Sequence, residues 1–371
     1  MTPVSVQSGE LIAMRLFDIA FAIDLVHAQQ LWTLHLGNTG SRSRLTTAPA
    51  KAVAFGVPPL LLTLDPVTID IDGVESPAQV SVRLYDFGVV ALALRMPVAG
   101  LPWDAFATRF NALDRSVGEA SPSTIWTDLL DKVRSVISAA LDRPTEAIVQ
   151  EDYLLGTVKA LEPPMDAASL SERVDMVGLL SGESRPLSAG AQRELLQRSF
   201  SYFADDLVVL TWDRAFIYEP RGDSDVADVI EVANAQLVEF RYYDELLDLE
   251  LPRMYDRIDA AHRAASLLAA HRFAQLARKL YTLVAEVTEL REKVDNALQV
   301  TEDVYLARVY SAALDQFRVP NVSAAVDRKL EILRDTYAAL YDEASSRRAE
   351  ILEVAIVVLI VIEIAMAFFR K

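Results

Sequence analysis

The sequence predicts an α+β protein: a mixed strand-and-helix N-terminal domain, long coiled-coil-like helices after it, and one C-terminal transmembrane helix. Three observations predict it. Stretches of strict apolar–polar alternation fall in the first 222 residues. From Val226 onward the apolar residues recur at three- and four-residue spacing, with no convincing strand. Finally, Ile351–Phe369 is apolar almost without a break. Together they divide the chain into an α+β domain over 1–222, a helical domain over 223–349 and an anchor over 350–371.

In chain order, Arg15–Leu25 reads as a buried strand running into a short helix. Gly37–Arg44 is a basic Gly/Ser loop without a Walker lysine or a Gly-x-Gly-x-x-Gly motif, which favours a solvated loop over an anion site. After Pro58-Pro59, Val67–Val74 and Val80–Tyr85 alternate as half-buried strands do. Asp65, just before the first of these, and Asp70 and Asp72 within it fit the solvent face of a hairpin better than a cation site. The run Val89–Leu94, closed by Pro97, suits a central strand. Trp103–Leu113 and Ile125–Leu141 carry helical spacing. Tyr153–Leu161, Ser199–Phe203, Leu207–Trp212 and Ala215–Tyr218 read as further strands.

A heptad counted from Val226 places Val226, Ala233, Phe240, Leu247, Met254, Ala261 and Leu268 at one core position. The other core position holds Ile230, Leu237, Asp244, Leu251, Ile258 and Ala265, so Asp244 alone is charged. Pro252 predicts a kink or interruption there. A second seam runs from Phe273 through Leu280 and Leu290 to Val294, and Val304–Phe317 forms a shorter helix stopped before Pro320. A third seam runs from Val326 through Leu333 to Ala344. Such narrow stripes suit a coiled-coil hairpin or slender bundle and leave open whether the partner helix is internal or from another copy.

Ile351–Phe369 as a helix would be about 28 Å long, close to the ~30 Å hydrocarbon thickness. Its thirteen Ile, Val, Leu and Phe residues contribute roughly −5 kcal/mol on an insertion scale. The intramembrane Glu363 costs roughly 3 kcal/mol on the same scale, so insertion wins narrowly. The first ten residues have no basic or apolar signal region. The expectation is therefore a single-pass protein of the cell (inner) membrane with the bulk of the chain cytoplasmic.

The net charge of −17 removes the basic field that nucleic-acid binding needs and argues against adsorption to anionic headgroups. Without cysteine there are no disulfides, thiolate nucleophiles or cysteine metal sites. His27, His35, His262 and His271 form no zinc spacing, and no Gly-x-Ser-x-Gly elbow occurs. These readings leave no catalytic residue, cofactor or metal to nominate, and they weigh against an enzyme. The candidate interaction motif is Phe240, Arg241, Tyr242, Tyr243, Asp244, Glu245 and Asp248. Arg241 reaches Asp244 and Glu245 at helical spacing, whereas Asp244 points into the seam and requires an arginine or tyrosine from another element.

Phe240–Asp248 resembles the YagE family, membrane-anchored proteins related to the "required for meiotic nuclear division" proteins. Leu84–Val90 looks like that family's Phe-Gly-Val-Val strand, and Leu207–Tyr218 is similar to its later strands. The resemblance implies a C-terminal anchor on an α+β and helical body, and supplies no catalytic residues. The functional expectation is a tail-anchored scaffold or tether that self-associates through its helices. The alternative is an enzyme or ligand-binding protein using the Arg241–Asp248 helix, and a third reading is an ion-conducting oligomer lined by Glu363.

Overall fold

The computed structural model describes residues 3–37, 40–42, 53–145, 149–183, 185–222, 225–262, 266–300 and 303–369. Half of the Gly37–Arg44 loop (residues 38, 39, 43 and 44), Ala265 and the terminal Arg370-Lys371 lie outside them, as do the side chains of His262 and Leu268. The chain forms two compact units. One comprises Met1–Arg241 and Lys293–Pro320, the other Tyr242–Glu292 and Asn321–Lys371.

The first unit is built on β1 (Ser5–Asp18), which enters β2 (Ala20–Ile23) and α1 (Leu25–Leu36), as the apolar Arg15–Leu25 stretch predicts. Asp24 caps α1 by accepting from the Val26 and His27 backbone N–H groups, both at 3.0 Å. After β3 (Ser41–Arg42) and β4 (Val53–Phe55), three long strands form a meander: β5 (Leu60–Ile71), β6 (Val74–Leu84) and β7 (Val89–Val98). Gly88 joins the last two at φ +97°, and a Cβ there would stand 1.8 Å from the Ala20 carbonyl oxygen. A short β8 (Leu101–Pro102) precedes α2 (Trp103–Val117) and α3 (Ile125–Ile137).

Beyond β9 (Leu141–Pro144), β10 (Gln150–Glu162) pairs with β1 over its whole length. Short helices α4 (Ala167–Arg173), α5 (Met176–Ser181) and α6 (Ala189–Leu195) lead to β11 (Ser199–Phe200), β12 (Leu207–Leu210) and β13 (Arg214–Tyr218). Among the described residues the main sheet orders β11-β12-β13-β10-β1-β7-β6-β5-β3, with β8 also on β1. The β10–β13 pair is parallel and the other pairs are antiparallel. Alternate residues such as Leu11, Ala13 and Phe17 face one core with Phe106, Phe110 and Trp126 of α2 and α3.

Two long helices follow, α7 (Val226–His262) and α8 (Ser266–Asp295), then β14 (Leu298–Val300), α9 (Val304–Gln316) and the 51-residue α10 (Val319–Phe369). The expectation of no strand after Val226 fails at β14, which pairs with β4; a three-residue strand is too short to show a period. Pro252 sits exposed inside an uninterrupted α7. Pro320 opens α10 instead of merely stopping the helix before it, because a first-turn N–H has no intrahelical partner to lose.

In the second unit, α8 and α10 run antiparallel, with Tyr281 beside Tyr337, Arg291 paired to Asp327 and the Arg347 guanidinium over the Phe273 ring. Phe273, Leu276, Leu280, Val287 and Leu290 are buried, as are Val326, Leu330, Leu333, Leu340 and Ala344. Both stripes are those the sequence marks.

The transmembrane helix is not present as expected. Among the described residues, no helix is long and apolar enough to cross a membrane. The physical reason is the placement of charge: between Glu353 and Glu363 only Val354–Ile362 is free of carboxylates. Nine helical residues span about 14 Å, half the ~30 Å hydrocarbon core. The single-pass placement, the tail-anchored tether and the reading of Glu363 as an intramembrane group that lines an ion path fall with it.

Candidate functional site: the charged turn of α7 and the apolar end of α10

Phe240 and Tyr243 are fully buried, and with Leu247 they follow the three- and four-residue spacing of a packing stripe. Arg241, in the first unit, pairs with Glu151 of β10 instead of reaching Asp244 and Glu245 along its own helix. In the second unit, the Tyr242 and Tyr243 rings meet edge-on at 5.6 Å, and Glu245 is exposed.

Asp244 is half-buried, and the cation that meets it is a lysine instead of the expected arginine. Lys329 of α10 donates to its carboxylate at 2.7 Å and to its backbone oxygen at 3.0 Å. The same ammonium lies 2.6 Å from Asp248. Burial works against that charge, but the bonds from both aspartates prevail and hold the lysine pKa above its ordinary value. One ammonium thus meets both carboxylates and bridges α7 to α10.

A second polar constellation lies in the first unit, and sequence reasoning missed it. Arg83 of β6 donates to Asp228 of α7 at 2.7 Å and lies 3.2 Å from Glu231, which accepts from the Tyr85 hydroxyl at 3.0 Å. Arg83 and Tyr85 are buried. Burial opposes the Arg83 charge, yet Glu231 and Asp228 hold its pKa well above the usual value; burial and Glu231 also push Tyr85 up. Farther along α7, buried Gln236 donates to the Val294 carbonyl at 2.5 Å and accepts from Tyr310 at 2.7 Å. Asp228, Glu231 and Asn234, spaced by three inside an apolar run, are the available signal.

Asp18, at the end of β1, is wholly buried, and neither carboxylate oxygen completes a hydrogen bond among the described residues. Burial raises its pKa well above the ordinary value, against the weaker pull of the Ala20 N–H and the Thr145 hydroxyl. Across the sheet, Arg214 of β13 is clamped by Asn111 at 2.8 Å, Asp114 at 2.9 Å and Asp213 at 3.0 Å. Asp65, Asp70 and Asp72 serve the hairpin: Lys132 meets the first, the Gly73 N–H donates to the second and Arg115 meets the third. Among the described residues, no group of three or more His, Asp or Glu converges to hold a metal.

Glu363 belongs to the far end of α10, where every residue from Leu352 to Met366 is exposed. Eleven large apolar side chains there are between 47% and 65% exposed. Farther back, α8 and α10 enclose a groove of about 390 Å³ floored by Ala274, Ala277 and Ala344. Its walls carry Tyr281, Tyr341, Arg278 and Arg348.

Comparison with known proteins corrects the YagE resemblance. Residues 8–225 match the family described as "Uncharacterized protein MJ0711, N-terminal domain". Phe240–Asp248, which carried the earlier resemblance, lies outside that match, and its aromatic residues are spaced for helix packing. A similar protein, uncharacterized protein MJ0711 of Methanocaldococcus jannaschii, is 26% identical over 178 residues, or 48% of this chain and 53% of that one. The match thus spans about half the length of the relative. No solved structure shows significant similarity. The chain belongs to the family of the MJ0711 N-terminal domain.

Proposed function

We propose that this protein is an assembly module whose copies join through the exposed apolar end of α10. The observation that carries the reading is the fifteen-residue stretch Leu352–Met366, exposed around its whole circumference. Burying a Val, Leu or Ile side chain fully is worth roughly 1.5–3 kcal/mol, so eleven residues about half exposed leave on the order of 10 kcal/mol unrealised. Exposed apolar patches this contiguous mark interaction sites. With a net charge of −17, copies repel one another at long range, and a joining surface must be mainly apolar to overcome it. In this reading 350–371 is the joining segment, while within the second unit Lys329 of α10 bridges to Asp244 and Asp248 of α7.

The test is the mass of the intact chain by multi-angle light scattering, beside a Leu352→Asp/Leu359→Asp variant. The reading expects an oligomer that the variant reduces to the monomer. Two monomers of equal mass reject it.

A further inference from the structure

The self-association reading says that copies join but not how. The face of α10 that lines the groove supplies the geometry. Tyr341, Ala344 and Arg348 line it, and at 3.6 residues per turn the same face continues through Leu352, Ala355, Leu359, Glu363 and Met366. Glu353 falls well off this face. From Arg348 onward, over the described side chains, the stripe therefore carries one cation, Arg348, and one anion, Glu363, fifteen residues apart. That separation is about 22 Å along the axis.

The stripe is complementary to itself when reversed. A two-fold axis passing between Ala355 and Ile356 sends Arg348 onto Glu363 of a second copy. It also sends Leu352 onto Leu359 and Ser345 onto Met366. The pairs Arg348–Glu363 and Leu352–Leu359 thus join stripe positions, and the small side chain of Ala355 lies beside the axis, where two backbones must come closest. The groove runs alongside the Arg348 end of the stripe. It runs about 16 Å from Tyr337 to Arg348, the length of three helical turns. Arg348, which lines it, is the cation that the register brings to the other copy's Glu363. Burying Glu363 in a dry interface without such a cation is costly, which selects this register over its neighbours.

We propose that the protein forms an isologous dimer in which the α10 ends pair antiparallel about Ala355, each Glu363 meeting Arg348 of the other copy beside the Tyr341 groove. This rests on the self-association reading above, and the experiment separates failure of one from failure of the other. Sedimentation of the full chain is compared for the parent, Arg348→Glu, Glu363→Arg and the double variant. Both positions are exposed, so all four should share one thermal transition. The pairing expects each single change to weaken the dimer by roughly tenfold or more and the double change to recover it. Oxidation adds a second reading, because the chain has no cysteine of its own. Ala355→Cys should give a covalent dimer, whereas Val357→Cys, also exposed but on the opposite side of the helix, should not. A dimer indifferent to the charge changes, or a double variant no tighter than the singles, overturns the register. Equal cross-linking at both positions overturns it as well. A monomeric parent overturns self-association itself.

Discussion

Val226–Arg241 of α7 and Leu352–Met366 of α10 are both apolar helical stretches, yet almost every residue of the first is buried and every residue of the second is exposed. The buried stretch is the more polar of the two. It carries Asp228, Glu231, Asn234, Gln236 and Glu239, and the structure meets the first two with Arg83 and Tyr85 and Gln236 with Tyr310. The exposed stretch carries only Glu353 and Glu363. Apolar content therefore does not decide what is covered. Partners decide it: a helix with polar groups is buried where a sheet supplies their complements, and a helix without them waits for a surface.

Carboxylates placed on each stretch should break that comparison most visibly. Val238→Asp, at a wholly buried position, should cost about 4 kcal/mol or more and abolish the cooperative thermal transition. Leu359→Asp should leave the transition within a few degrees of the parent and change only the mass in solution. Equal destabilisation by both would show that the α10 end is packed within the monomer.

Arg83→Met comes next. It leaves Glu231 and Asp228 without their cation, and breaking a buried pair this way costs about 3–5 kcal/mol, measurable by urea denaturation. A loss under about 1 kcal/mol would mean that solvent reaches the carboxylates.

Asp18→Asn should act in the opposite direction. Because burial raises the Asp18 pKa above its unfolded value of about 3.9, the folded state binds the extra proton. Stability from this group is full below the unfolded pKa and declines as pH rises toward and through the folded one. The amide removes that decline, so the variant should be more stable than the parent at pH 7 and flatter in its stability–pH profile above pH 4. An unchanged slope would place the ionisation elsewhere.

The smallest effect is expected at Lys329→Met. Its aspartates are partly solvated, with side chains 30% and 63% exposed, so the loss should be at most about 1 kcal/mol. A loss of several kcal/mol would make the bridge a core interaction.

Much of the fold was legible because burial imposes local periods. The α8 and α10 seams and the α2 and α3 spacing appear where their patterns place them, whereas the Val67–Val74 alternation runs through the Asp72-Gly73 turn that separates β5 from β6. Asp244 shows where the pattern misleads. The seven-residue count holds at Val226, Ala233, Phe240, Leu247, Met254 and Ala261, all buried, but in the third heptad the second buried residue is Tyr243 and not its neighbour Asp244. Arg83 and Glu231 stand 148 positions apart, so no local period could join them. The α10 end misled for another reason: length and hydropathy measured how much surface needs covering, while the spacing of Glu353 and Glu363 limited what could cover it.

The measurement that bears most directly on the central claim is sedimentation equilibrium of the intact chain across micromolar concentrations. A mass rising toward twice the 41.0 kDa of one chain, and held at one chain mass by Leu359→Asp, is the predicted result. A parent that stays at a single chain mass throughout that range would contradict it.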